Sequence, residues 1–144
     1  GVYRLKDGKL TLLTTELTRP NGLAFSPNEQ VLYVANSDSR RKLWMAYPVK
    51  GDGTLGPGKV FADVTSASEP GLPDGMKVDR RGNVYGTGPG GVWVFDSQGR
   101  HLGTIKGPET PANCAWGDSD GKTLYLTSQT GLYRIRTLIG GRLP

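Results

Sequence analysis

Short segments in which apolar and polar residues alternate recur along the whole chain, and they predict β-strands. Three of these segments carry a large apolar residue at every second position, and they lie at 43–47, 91–95 and 131–135. Each is preceded across a turn by another apolar segment that contains a Tyr, and these lie at 31–35, 84–87 and 123–127. A period of two places successive side chains on opposite faces of a sheet. The pattern therefore predicts an all-β protein of short antiparallel strands.

A proline-led segment precedes each of these strand pairs and shows that the chain is a repeat. The three copies are Pro20–Phe25, Pro73–Val78 and Pro111–Trp116. Their polar members, Asn21, Asp74 and Asn113, follow one another at intervals of 53 and 39 residues. Those intervals bracket the roughly 40 to 50 residues of one propeller blade. A repeat of this kind places one carboxylate or carboxamide at a similar point of each unit, where the units together can build one site.

Four antiparallel strands joined by hairpins make one propeller blade, and the order of the segments predicts about three blades. We expect residues 1–144 to form a partial β-propeller, in which 1–15 end one blade, 16–65 and 66–107 form two blades, and 108–144 form an incomplete final blade. A propeller closes its ring with about four to eight blades. Closure is therefore expected to need further N-terminal blades or a second copy of the chain.

Composition and charge narrow the class of protein. The 22 Gly and 10 Pro occur in short clusters, which fits many tight turns. The net charge of +5 comes from scattered basic residues, so no nucleic-acid partner is expected. No apolar run approaches the roughly 20 residues that span a bilayer, and no membrane partner is expected. The single cysteine excludes an internal disulfide and leaves the compartment open, cytoplasmic or periplasmic.

The proline-led segments carry the candidate chemistry. The first strand of a blade lines the central channel, so Asn21, Asp74 and Asn113 are expected near one mouth of that channel. One carboxylate with amide oxygens is a ligand set that suits a hard cation such as calcium. The alternative is that Asn-Gly and Asp-Gly are simply good turn formers. Two further residues, Asn36 and Asp38, follow a second strand and are candidates for substrate contact or for support of the site.

Four stretches of the chain resemble the gluconolactonase/regucalcin (senescence marker protein) family. They are Arg19–Pro27, Leu72–Val84, Gly90–Phe95 and Pro111–Gly117, and they follow the family in the same order over nearly the whole chain. The resemblance is greatest to the C-terminal half of the bacterial gluconolactonases. It implies half of a six-bladed propeller whose complete form binds a divalent cation in the channel and hydrolyses sugar lactones.

The resemblance also implies roles for individual residues. Asn21 and Asp74 match metal ligands of the family, Asp74 also matches its proposed catalytic base, and Asn113 falls at a channel position near the substrate. The metal implied is calcium first, with magnesium, manganese and zinc as alternatives, and no other cofactor is expected. The family's metal-ligand Glu and its substrate-contacting Arg and Asn belong to earlier blades and have no counterpart among these residues.

The function expected is metal-dependent hydrolysis of a sugar lactone. A bound metal would polarise the lactone carbonyl while Asp74 assists the attack of water. The chain has no G-x-S-x-G motif, and its one His and one Cys do not suggest a covalent triad. Two alternatives stay open. One is a non-catalytic binding or scaffold half-propeller, and the other is a half-length protein that self-associates to close the ring.

Overall fold

The computed structural model describes residues 1–143, and this part of the chain forms thirteen β-strands and no helix. Accordingly, it contains no helix that could cross a membrane. The first six strands are β1 Val2–Lys6, β2 Lys9–Thr14, β3 Pro20–Phe25, β4 Val31–Asp38, β5 Arg41–Pro48 and β6 Lys59–Asp63. The other seven are β7 Met76–Val78, β8 Val84–Gly88, β9 Gly91–Phe95, β10 His101–Ile105, β11 Pro111–Gly117, β12 Thr123–Ser128 and β13 Leu132–Arg136.

The strands form four antiparallel sheets in which neighbours in sequence are neighbours in space. Strands β3–β6 and β7–β10 each make a four-stranded sheet, β11–β13 make a three-stranded sheet, and β1 and β2 pair with each other. Every pairing within these sheets is antiparallel. This arrangement confirms the predicted all-β fold of four-stranded propeller blades.

Alternation along the second strands lets each four-stranded sheet bury both of its faces. In β4, Leu32 and Val34 face one way and pack with Val2 of β1, whereas Tyr33 and Ala35 face the other way. Those two residues join a hydrophobic core between the two four-stranded sheets. A third core lies between the second four-stranded sheet and β11–β13. Because every core joins two sheets, no sheet is stabilised without its neighbour.

Trp44 is the centre of the core between the two four-stranded sheets. Its side chain is completely buried and meets the edge of the Phe95 ring at a centroid distance of 5.2 Å. Two glycines of β8 make the space for it, since a Cβ atom on Gly86 would lie 2.7 Å from the indole nitrogen and one on Gly88 would lie 3.1 Å from the ring. The glycines inside this strand therefore allow the neighbouring sheet to approach closely.

Residues 137–143 form a C-terminal segment that runs back across the preceding sheets. The carbonyl of Gly140 accepts a hydrogen bond from the Arg80 amide at 2.9 Å, and Gly141 packs against Trp116. Further along, the Arg142 guanidinium forms an ion pair with Glu29 at 3.2 Å. The segment thereby connects the last sheet with both four-stranded sheets.

Candidate functional site

The three proline-led segments lie side by side at the edge strands of their sheets. Strands β3, β7 and β11 are each the outermost strand on one side of a sheet, and β7 contacts both of the others. The Gly75 amide donates a hydrogen bond of 2.9 Å to the Ala112 carbonyl, which joins the second segment directly to the third. The repeat thus brings its polar members to one end of three adjacent inner strands.

Close approach of neighbouring segments explains the glycines that follow Asn21 and Asp74. A Cβ atom on Gly22 would lie 2.1 Å from the Asp74 carbonyl oxygen, and one on Gly75 would lie 2.0 Å from the Asn113 Oδ1 atom. Neither glycine has a positive φ, and Gly22 lies inside β3. A turn-forming role therefore does not account for them. Each glycine leaves room for the next segment.

Asp74 is a half-buried carboxylate beside an amide. Burial raises its pKa above the usual value, and a hydrogen bond from the Asn21 side chain lowers it by a smaller amount. Its backbone is also fixed, because the Asp74 amide donates to the Thr87 carbonyl at 3.1 Å. Asp74 supplies one negative charge, and Asn21 of the neighbouring sheet supplies one neutral amide oxygen. A partly desolvated carboxylate of this kind is a stronger base than one in water.

Asn113 presents the amino end of its carboxamide to its surroundings. Its Oδ1 atom accepts a hydrogen bond of 2.8 Å from the Cys114 amide, and this contact identifies which end is oxygen. The pairing of β11 with β12 places Asn113 opposite Thr127. When Pro111 is aligned with Pro20, Asn113 stands at the position of Gly22 and Ala112 at the position of Asn21. The free group of Asn113 is accordingly a hydrogen-bond donor.

A cavity of about 280 Å³ adjoins Asn113, and it contains a residue that the sequence analysis missed. Its lining includes Lys77 of β7 together with Tyr125 and Thr127 of β12. The Lys77 ammonium group donates to the Met76 carbonyl at 3.0 Å. The period of two could have identified Lys77, since Met76 is buried in the core around Trp44 and the next side chain must face the opposite way.

Asn36 lies beneath the first proline-led segment and is completely buried. Its Oδ1 atom accepts from the Arg19 amide at 2.9 Å, and its Nδ2 atom donates to the Arg41 carbonyl at 2.8 Å. These bonds hold the residues that lead into Asn21 against the β4–β5 hairpin. The geometry favours a supporting role for Asn36 over substrate contact, because its polar atoms are already paired.

Asp38 belongs to the same network but lies nearer the surface. Its carboxylate accepts hydrogen bonds from the Arg40 amide at 2.9 Å and from the Thr18 hydroxyl at 2.8 Å. These contacts lower the pKa of Asp38, with the Arg40 amide as the largest cause. Asp38 is therefore an ionised carboxylate at neutral pH.

The chemistry of Asn21 and Asp74 fits part of a hard-cation site. Oxygen donors with low total charge are the ligands that calcium and magnesium prefer. Calcium takes roughly six to eight oxygens, so two residues supply only part of its coordination. Among residues 1–143, no group of three or more His, Cys, Asp or Glu side chains is arranged to hold a metal ion. Any cation held here must take its other ligands from elsewhere.

A further cleft lies at the other end of the inner strands. It has a volume of about 460 Å³ and is lined in part by Phe25, Asp79 and Arg142. The Asp79 carboxylate is fully engaged within the protein, since it accepts from the amides of Arg81 and Asn83, both at 2.9 Å. These bonds close a turn. The cleft contains none of the three polar residues that the repeat singles out.

The chain is similar to known sequences over most of its length. Residues 1–130 match the family described as the SMP-30/Gluconolactonase/LRE-like region. The chain is 41% identical to a gluconolactonase from Zymomonas mobilis over 95% of its own length and 40% of the relative's. It is 33% identical to the pentonolactonase XacC from Haloferax volcanii, over 90% of the chain and 45% of that protein. The chain thus spans less than half the length of these curated relatives.

Solved structures of similar proteins superpose on this chain over most of its length. A gluconolactonase from Xanthomonas campestris superposes with a TM-score of 0.81 at 40% identity, over 93% of this chain and 43% of that one. Regucalcin from Agrobacterium tumefaciens, a calcium-binding protein, superposes with a TM-score of 0.84 at 24% identity, over 97% and 53%. The second likeness shows the fold alone. From its sequence match and its fold, the chain belongs to the SMP-30/gluconolactonase/LRE-like family.

Proposed function

We propose that this chain forms part of an enzyme that hydrolyses a sugar lactone, with Asp74 as the base that assists water. The observation that carries the proposal is the packing of Gly22 against the Asp74 backbone, which brings Asn21 beside a half-buried carboxylate of the neighbouring sheet. Such a position leaves the carboxylate partly desolvated and open to a ligand at one end of the strands. The names of the relatives from Z. mobilis and H. volcanii support a lactone of a sugar acid as the substrate class.

We infer that Asn21 and Asp74 also hold a divalent cation. Calcium is the first candidate, because both donors are oxygens and a structural neighbour is named as calcium-binding. Magnesium, manganese and zinc remain alternatives, since oxygen donors accept each of them. A cation bound beside Asp74 supplies Lewis-acid polarisation of the lactone carbonyl.

The chain's own residues supply the proton transfer and the orientation of the substrate. Asp74 takes a proton from the water whose oxygen attacks the lactone carbonyl carbon. The ring C–O bond then breaks, and Asp74 returns its proton to the released ring oxygen, which becomes a hydroxyl group of the product acid. The free Nδ2 atom of Asn113 can donate a hydrogen bond to a substrate oxygen in the adjoining cavity. No side chain needs to form a covalent bond to the substrate.

Removal of the Asp74 carboxylate tests this proposal. We expect Asp74→Ala to lower the rate of glucono-δ-lactone hydrolysis at least about 100-fold, since general-base catalysis contributes roughly that factor or more. Asn21→Ala should weaken calcium binding in a calorimetric titration. Asp52→Asn, in an exposed turn, is the control and should leave both measurements unchanged. The enzyme hypothesis would be refuted if the hydrolysis rate stayed at the wild-type value both after chelation and in Asp74→Ala.

A non-catalytic scaffold or a self-associating half-propeller is the second candidate, favoured by one observation. The side chains of Tyr3, Leu5, Leu10 and Leu12 on β1 and β2 are 50% to 70% exposed, and they leave an apolar sheet face uncovered. We infer that this face needs a covering partner, either further blades or a second copy. Light scattering on the purified chain separates these states by mass.

A further inference from the structure

Thr87 of β8 is a completely buried threonine that no step of the proposed reaction uses. Its Oγ1 atom lies 3.0 Å from the Gly75 carbonyl oxygen and 3.1 Å from the Ala112 carbonyl oxygen. Gly75 follows Asp74, and Ala112 precedes Asn113. One hydroxyl therefore connects the second and third proline-led segments, next to both of their polar residues.

Backbone hydrogen bonds surround the same hydroxyl. The Thr87 amide donates to the Gly75 carbonyl at 2.9 Å, and the Gly75 amide donates to the Ala112 carbonyl at 2.9 Å. Each carbonyl oxygen can accept two hydrogen bonds, and a backbone amide donates only one to each. The Thr87 hydroxyl can therefore donate a second. The hydroxyl has one proton, which it donates to one of the two oxygens or shares between them, and its loss would remove that hydrogen bond at a buried position.

The fold itself does not require this hydroxyl. Ala35 occupies the corresponding position of the first four-stranded sheet and has no polar side chain. Thr127 occupies it in the last sheet, where its hydroxyl is exposed and reaches the Asn113 carbonyl only at 3.5 Å. A buried hydroxyl that reaches two segments is thus found only between Asp74 and Asn113 among these three positions.

We propose that Thr87 is a positioning residue that fixes the interval between the Asp74 carboxylate and the Asn113 carboxamide. Its effect on catalysis rests on the proposed function, whereas its effect on the backbone does not. The Thr87 hydroxyl holds the peptide that follows Gly75 against the peptide that precedes Asn113. The base and the hydrogen-bond donor then approach one substrate together.

Substitution by valine and by serine separates the hydroxyl from the volume it fills. Thr87→Val keeps the shape and removes the hydroxyl, and Thr87→Ser keeps the hydroxyl. Thr123→Val is the matched control, because Thr123 is equally buried and hydrogen-bonds to Asp118, but it lies at the far end of β12. We expect both valine variants to lower the melting temperature.

Amide hydrogen exchange at Gly75 tests the positioning directly in the purified chain. Thr87→Val should speed this exchange about tenfold, as expected for the loss of one hydrogen bond from the network. Thr87→Ser should restore most of the protection, and Thr123→Val should leave it unchanged. Unaltered protection of Gly75 in Thr87→Val would overturn the proposal, whatever happens to the melting temperature.

Kinetics test the consequence for catalysis. Thr87→Val should lower kcat for glucono-δ-lactone about 10-fold to 100-fold, with KM changed less than about threefold, because misplaced groups mainly affect the transition state. Thr87→Ser should recover most of kcat, and Thr123→Val should keep it. A loss of kcat in Thr123→Val equal to that in Thr87→Val would refute positioning by Thr87. If the enzyme that contains this chain hydrolyses no lactone, the proposed function fails, and the exchange of Gly75 still decides the role of Thr87.

Discussion

Asp74 stands out at the scale of single residues because its charge opposes folding. A carboxyl group whose pKa is raised in the folded protein stabilises the fold at low pH, and that stability is lost as the pH rises through the folded pKa. At neutral pH the ionised Asp74 is therefore destabilising relative to a neutral side chain. This is the balance expected where a site is kept for binding or catalysis.

Replacement of Asp74 by Asn should accordingly stabilise the protein at neutral pH while it removes the base. In a buffer that contains a chelator, we expect Asp74→Asn to raise the melting temperature at pH 7 by about 2 °C. The gain should disappear at low pH, where Asp74 takes up its proton. Thermal unfolding followed by circular dichroism at both pH values measures this difference.

Asp96 is a control, because its pKa is shifted in the opposite direction. The Arg100 amide is the largest of several contacts that lower its pKa. Its contribution to stability is present above the unfolded pKa and is lost as the pH falls through the folded pKa. Asp96→Asn should thus lower the melting temperature at pH 7 and have little effect at low pH. A destabilised Asp74→Asn at pH 7 would contradict the burial argument.

At the scale of the elements, contacts between neighbouring strands depend on glycine. Gly22 in β3 lies against the backbone of Asp74, and Gly75 lies against the side chain of Asn113. Each inner strand therefore fits against the next through a residue that has no side chain. The proline-led segments owe their regular appearance to this packing as well as to their polar residues.

A methyl group at Gly22 should force β3 and the Asp74 segment apart. We expect Gly22→Ala to lower the free energy of unfolding by about 1–3 kcal/mol, the usual cost of overpacking. It should also weaken calcium binding, because Asn21 and Asp74 would separate. Urea unfolding and calorimetry measure the two effects. Gly51→Ala, at a position where a methyl group meets nothing within 4 Å, should change neither.

The uncovered face of β1 and β2 governs behaviour at the scale of the whole molecule. Leu5 and Leu10 are cross-strand partners on this face and are 70% and 64% exposed. Contiguous apolar surface of this kind promotes association in water. The same sheet has its other face covered, through Val2, by the first four-stranded sheet.

Charges on this face should keep the isolated chain monomeric. We expect wild-type protein to associate as its concentration rises and the Leu5→Lys/Leu10→Lys double variant to remain a monomer in sedimentation velocity. Leu138→Lys, at a leucine that is 92% exposed outside this face, should behave like wild type. Equal association of the double variant and the wild type would show that another surface is responsible.

The sequence predicted the features that repeat, because repetition is visible in one dimension. The period of two gave the strands, and the proline-led segments identified Asn21 and Asp74, which lie next to each other. Residues that act between units were not visible. The two carbonyls that Thr87 reaches lie 12 and 25 positions away along the chain, and no pattern links the three. From the sequence, Asn36 was a candidate for substrate contact. Its burial was not visible there, because the burial of a polar side chain depends on partners distant in sequence.

The C-terminal segment has a consequence for the order in which the fold forms. The ion pair of Arg142 with Glu29 spans 113 residues, whereas hairpin contacts within the sheets span only a few. Contacts between distant residues carry a larger loop-closure cost and form late. During synthesis, the sheets can pair and stack before residue 142 exists, but they cannot yet be held together by this segment. The arc is therefore secured last, by a segment that follows all of its strands in the chain.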